Sequence, residues 1–421
     1  MPDSASNPRP TYAGAFRCIG PACEDHCCGD WDIPVDQATY NRYQLFPAEK
    51  LGALVSGFVF PAAPGSPPAL HAHIYRAPSG LCPFFGEDRL CVIQQQYGPQ
   101  LLSATCSVFP RSLSRVHGVV EGSLSLSCPE AARNVLLDPD FMHLRADLFA
   151  GAFRTDNIYQ LEPAALPAAP KPYGSFLAIR NLLLGVVKDR RHSIQHRVLL
   201  LGIFCEHLQK LGNSSQEEAI PEFLAHFEVL LQQPELHAEI ETLPGDPALR
   251  LGVVMALTDE RVRDNIGGGR FRDTFWDFIQ GIGTAESASG DDIAKFLDAK
   301  EKYYLPFLEN SPFILENYLL NYFFQNLFPF GREGSTQSSP RDLFEEYLLL
   351  ATQFAWIETL LIGISALHRE NFAAHHIVAT IQSLTRAVEH FPFMRAWIAG
   401  YLKARDLNHL QGMALLLKTS R

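Results

Sequence analysis

"FLAIRNLLLGVVKDR", residues Phe176 to Arg190, decides the fold class. Ile179, Leu182, Leu183, Val186 and Val187 fall at i, i+3, i+4, i+7 and i+8, which gathers their side chains on one face of a helix. Outward from there the rhythm repeats: Ile194, Val198, Leu201, Cys205 and Leu208 follow it, and near the end Ile377, Ile381, Leu384 and Val388. Cys205 sits on such a stripe and reads as a buried core thiol. "LLLATQFAWIETLLIGIS", Leu348 to Ser365, is nearly apolar enough to span a membrane, but Gln353 and Glu358 make it a buried helix. "GTAESASGDD" from Gly283 and "GREGSTQSSPRD" from Gly331 mark breaks between helices. No internal repeat is evident. The helical character starts near Leu144, so an α-helical domain is expected over residues 138–421.

Residues 1–137 differ in kind. Their short apolar runs are interrupted by turn-formers such as "PAAPGSPPA" from Pro61. "SLSRVHGVVEGSLSLSC" alternates as strands do, and His117-Gly118 supplies a turn for a small β-hairpin. In "CPEAARNVLL", Pro129 suits the first position of a helix, where its missing N–H is not needed. Cys128 is then the N-cap, a place where free amides and the helix dipole favour thiolate. The expected architecture is mainly α: a Cys-rich, partly irregular head with a small hairpin, followed by an α-helical body.

The head holds eight of the nine cysteines in the 421 residues: Cys18, Cys23, Cys27, Cys28, Cys82, Cys91, Cys106 and Cys128. Hydrophobic residues make up 47% and charged ones 19%, as in a globular protein. A net charge of -11 excludes the basic footprint of a general nucleic-acid binder. "MPDSASNPRPTYAG" has no apolar run of a secretory signal, and no span is predicted, so the expected compartment is the cytoplasm. Cytoplasmic thiols stay reduced, and a chain this long has no need of disulfides to support its core. Thiols concentrated in that setting point to a metal or catalytic site.

Their spacing narrows the choice. C-x4-C-x3-C-C is followed by Cys82 and Cys91 in "CPFFGEDRLC", then by the isolated Cys106 and Cys128. The paired C-x2-C usual for mononuclear zinc is missing. Thiols drawn from dispersed loops, with no His at ligand spacing, fit iron–sulfur chemistry better. Eight exceed the four that one cubane needs. The radical S-adenosylmethionine motif C-x3-C-x2-C is absent, because Cys23 and Cys27 are followed by Asp30 at the third position.

Three stretches, "FRCIGPACEDHCCGDWDIPVDQATY", "LCPFFGEDRLCVIQQQYGPQLLSATCSVFPR" and "LSLSCPEAAR", resemble the flagellin lysine-N-methylase (FliB) family. The likeness continues loosely in "ENYLLNYFFQNLFPF" and "TRAVEH". The resemblance implies a cytoplasmic enzyme that moves a methyl group from S-adenosylmethionine to lysine ε-amines of flagellin and carries a 4Fe-4S iron–sulfur cluster. The eight head cysteines are its candidate ligands; which four serve stays open.

Methyl transfer needs a neutral amine, whereas a free lysine has a pKa of about 10.4. A base, a water path or desolvation must expose the lone pair. Glu24, Asp25, Asp30, Asp32 and Asp36, with Trp31 and Tyr40, surround the first cysteines and can attract a lysine or sulfonium. Against this, Asp36 reads as a helix N-cap and the other acids as loop charges. No Gly-rich turn follows a strand as in a Rossmann methyltransferase. "NIGGGRF", with Gly267 to Gly269, reads as a loop after a helix, and the cofactor pocket is expected between head and body. His71 and His73 in "HAHIY" read as surface residues, as do His375 and His376. Arg386, Glu389 and His390 read as a local ion pair. The competing reading is a non-catalytic zinc- or iron-binding module with a helical partner-binding body.

Overall fold

The computed structural model describes residues 12–29, 31–141, 159–161, 172–213, 217–263, 268–283, 289–332, 342–389 and 393–419. Asp30, Gly267 and His390 lie outside the described residues. Helices dominate, as the periodicity predicts. Leu343–His368 forms the central helix, capped by Asp342, whose side chain accepts from the Glu345 amide at 2.7 Å. It is apolar on every face and is buried on every face, which is why it resembles a membrane span. Among the described residues it is the one helix long and apolar enough to cross a membrane, and 94% of its most apolar window is inside the protein. Its Glu358 is held by Arg250 at 2.8 Å and Tyr304 at 3.2 Å, and also takes a hydrogen bond from Gln195.

Gly268–Ile282, Ile194–Asn213, Gly290–Ala299, Ala374–Glu389 and Leu410–Leu417 pack around this helix. The first of these touches it backbone to backbone. A Cβ on Gly281 would lie 1.9 Å from the Gly363 carbonyl oxygen, and one on Gly363 would lie 2.3 Å from the Phe278 ring. Gly268 and Gly269 thus open a helix instead of lying in the expected loop. The helical pull of Phe271, Phe275 and Phe278, all buried, outweighs their flexibility.

Two small sheets precede the body. In the first, β1 (Ile33–Val35) and β2 (Val59–Pro61) flank β3 (Ala72–Ile74), all antiparallel. Both edge strands contain a proline and the central one contains none, since a proline cannot donate to the ladder. The sequence reading missed these three-residue strands. The second sheet is the expected hairpin, β4 (Arg111–Val116) with β5 (Val119–Leu124). His117 (φ 47°) and Gly118 (φ 78°) form its two-residue turn. A further strand, β6 (Tyr159–Leu161), runs parallel to β4.

The apolar cores divide at a different place from residue 137. Ile33 to Leu102 enclose a small core of their own, around Tyr43, Val55, Ile74, Phe84 and Ile93. Val116, Leu124, Leu126, Val135 and Leu136 join the large core of the helical body. Arg180 seals that junction with two 2.6 Å hydrogen bonds to Glu121 on β5.

Candidate metal centre

The thiols stand on short elements. Cys91 and Cys128 each precede a helix, Val92–Tyr97 and Pro129–Leu136 respectively, so Cys128 is the expected N-cap residue. Cys106 rides the single turn Ala104–Val108, whose Ser103 cap takes the Cys106 amide at 3.2 Å. Asp36 ties this turn down: it caps Gln37–Tyr43, as expected, and accepts from the Ala104 amide at 3.1 Å. Cys28 and Cys82 are joined by a 2.8 Å backbone hydrogen bond from the Cys82 amide. Cys23 ends the turn Gly20–Ala22, and its carbonyl accepts from Arg89 at 2.6 Å. The Gly20 amide donates to the Cys18 sulfur at 3.4 Å.

Cys28, Cys82, Cys91 and Cys106 pack against the small core, and Cys128 against the large one. Cys18 and Cys27 are exposed. Cys27 is electrostatically the hub. A hydrogen bond from Cys28 lowers it to about 7, and the Arg386 cation assists. Burial first, and then the Cys27 charge among others, raises Cys23, Cys82, Cys91, Cys106 and Cys128. Cys82 and Cys128 reach about 12. Such thiols stay protonated until a cation replaces the proton. Cys205, fully buried in the body, stands apart as a core residue.

The loop Cys23–Gly29 is gripped from the body. Arg386 donates to Asp25 at 2.8 Å, to the His26 carbonyl at 3.1 Å and to the Gly29 carbonyl at 2.8 Å. Gln382, one turn earlier, donates to Asp25 at 2.7 Å and to the Ser127 carbonyl at 2.8 Å, beside Cys128. The expected local pairing within "TRAVEH" is therefore wrong for Arg386 and Glu389. Arg386 serves the cysteine loop, while Glu389 accepts from Ser125 and Gln325, both at 2.5 Å. Both point away from their own helix: Arg386 reaches acceptors on the head, and Glu389 reaches the donors Ser125 and Gln325.

The acidic residues near the cysteines are also committed elsewhere. Glu24 binds Arg133 at 2.6 Å and Arg270 at 3.2 Å. Burial works to raise its carboxyl, but the Arg133 hydrogen bond prevails and holds it down at about 2. Asp32 accepts from Arg76 at 3.1 Å, and Trp31 donates to the Cys27 carbonyl at 2.9 Å. Tyr40 lies 5.0 Å from the His71 ring. His73 is on β3 opposite Pro34 and Phe60. Sequence reasoning missed Arg89, Arg133, Arg270, Gln382 and Arg386. Only the weak likeness in "TRAVEH" pointed toward one of them.

Residues 180–416 match the model of the FliB lysine N-methylase C-terminal domain. A lysine-N-methylase of Salmonella typhimurium is 28% identical over 256 residues, 59% of this chain and 60% of that relative. The chain thus spans about 60% of the length of this curated relative, and the same holds for a lysine-N-methylase of Salmonella choleraesuis. The flagellar biosynthetic protein FliU of Salmonella muenchen is 36% identical over 137 residues, 32% of this chain and 79% of that relative. No solved structure matches the chain.

Proposed function

The chain belongs to the FliB lysine N-methylase family, and on that premise we propose that it is a cytoplasmic protein-lysine N-methyltransferase acting on flagellin. The methyl donor is S-adenosylmethionine, and the thiol-rich head holds a 4Fe-4S cluster. One observation carries the reading. The body helix Ala374–Glu389, inside the region matched by the family, grips the cysteine loop through Arg386 and Gln382 and so joins body and thiols in one site. The names of the relatives supply lysine methylation and a flagellar setting.

The donor set fits the cluster. All eight thiols are free. The Cys27 charge acts on Cys23, Cys82, Cys91, Cys106 and Cys128, so the thiols share one region, and they outnumber the four that a single zinc ion takes. The cluster's ligands come from Cys18, Cys23, Cys27, Cys28, Cys82, Cys91, Cys106 and Cys128. When bound, the cluster supplies an anchor that cross-links these loops and an iron of Lewis-acid character beside them.

In the reaction the lysine nitrogen forms a bond to the methyl carbon as the carbon–sulfur bond of the sulfonium breaks. S-adenosylhomocysteine leaves and the amine loses a proton to a base or to water. The protein's part is to present the amine uncharged. Arg386 and Gln382 fix the loop against which donor and acceptor meet, at the contact between head and body.

Oxygen-free purification followed by iron and sulfide assay, with labelled S-adenosylmethionine and flagellin, tests both halves. About four iron and four sulfide per chain, with label on flagellin lysines, is the expected result. Cluster-loaded protein that transfers no methyl group would leave a metal-binding module. Transfer by metal-free protein would remove the cluster from the proposal.

A further inference from the structure

A second set of metal-ligand side chains lies in the body, independent of the thiols. His192 lies two residues before the helix Ile194–Asn213 and His196 lies in its first turn, where Ser193 takes the His196 amide at 3.2 Å. His237 comes from the helix Pro234–Thr242. One ring nitrogen from each of the three lies within 4.8 Å of the others. The His192 ring stacks on both partners, with centroids 4.5 Å from His196 and 3.9 Å from His237.

The outer hydrogen bonds fix the tautomers. His196 Nδ1 faces Glu241 Oε1 at 2.8 Å, and His237 Nε2 faces the Leu231 carbonyl at 3.0 Å. A carboxylate and a carbonyl only accept, so these two nitrogens carry the protons. Neutral imidazole has one N–H. The inner atoms, His196 Nε2 and His237 Nδ1, then confront each other at 2.9 Å as two lone pairs. That contact is repulsive unless a cation sits between them. A proton serves two nitrogens; a metal ion takes a third as well, with the His192 ring turning out of its stack to face the ion, its nitrogen already within 4.8 Å of the others.

We propose that His192, His196 and His237 bind a divalent transition-metal ion of borderline softness, zinc being the first choice for three imidazoles. Glu241 and the Leu231 carbonyl are the outer partners that orient ligating histidines in such sites. The His196 side chain is 2% exposed, while His192 and His237 are half-buried. His237 also lines a cleft of about 550 Å³ with Asp189, Arg191, Glu228 and Gln232. The cleft gives a fourth ligand, water or a solute, access to the ion, as three-ligand zinc sites require. The ion pins the helix Pro234–Thr242 to the start of Ile194–Asn213.

X-ray absorption of zinc in the full-length, reduced protein tests this, because nitrogen shells at about 2.0 Å and sulfur shells at about 2.3 Å are separable. The expected spectrum contains an imidazole shell that is lost in His237→Ala, whatever the thiols bind. In Glu241→Gln, whose side chain is largely exposed and leaves the fold intact, competing chelator should strip the nitrogen-bound zinc at about 10-fold to 100-fold lower concentration. Circular dichroism checks that both variants are folded. A sulfur-only shell in the parent protein, or an unchanged nitrogen shell in His237→Ala, overturns the proposal.

Discussion

Arg386 joins two parts of the chain that are 361 residues apart in sequence. Its side chain is 5% exposed and that of Asp25 is 19% exposed, so neither is well solvated. Arg386→Ala strands Asp25 beside Gln382 alone and is expected to lower stability by about 3 kcal/mol in urea unfolding. Arg386→Lys keeps the charge but loses the fork that reaches three acceptors, and should recover less than half of the loss. His376 offers a separate residue-level test. Burial, then the neighbouring His368 and His375, push its imidazole from 6.5 down to about 4. The unfolded chain therefore binds the extra proton between those values. Stability from this group is full above pH 6.5 and declines as pH falls toward 4. Solvent screening reduces the effect to about 1 kcal/mol. Urea midpoints across this range should fall on acidification, and the fall should be smaller in His376→Gln.

At the scale of elements, glycine distinguishes helix faces that touch a neighbour from helix faces that are open. Gly281→Ala pushes a methyl group into the Gly363 carbonyl and must force apart Gly268–Ile282 and the central helix. A loss of about 2–3 kcal/mol is expected. Gly252, in the helix Pro247–Arg263, has no atom within 4 Å of where a Cβ would stand. There the same substitution should stabilise by about 0.5–1 kcal/mol through reduced freedom of the unfolded chain. Thermal unfolding of the pair should move in opposite directions. If both variants were equal to the parent, the close helix contact would be absent in solution.

For the whole molecule, the packing predicts which pieces stand alone. A fragment of residues 111–421 keeps β4, β5 and the helix Pro129–Leu136 on the large core. A fragment of residues 138–421 loses Val116, Leu124, Leu126, Val135 and Leu136 and leaves the buried Arg180 without Glu121. The longer piece should show cooperative unfolding, and the shorter one a broad transition or aggregation. Equally cooperative unfolding would return the division to residue 137.

Periodicity is a local property, so the sequence by itself determined the helical body, the buried nature of the Leu343–His368 helix, the hairpin turn at His117-Gly118, and the caps Asp36 and Cys128. It also singled out the eight thiols, because cysteine in that density has few other uses. Three-residue strands such as β1 to β3 contain too little pattern to read. The grip of Arg386 and Gln382 on the Cys23–Gly29 loop, the Glu121–Arg180 fork, and the meeting of His192 and His196 with His237 were decided only by the tertiary structure. Each pairs side chains from distant segments, and nothing in the spacing of one partner specifies the other. Where an arginine finds its carboxylate depends on which helix faces are brought together when the apolar stripes are buried.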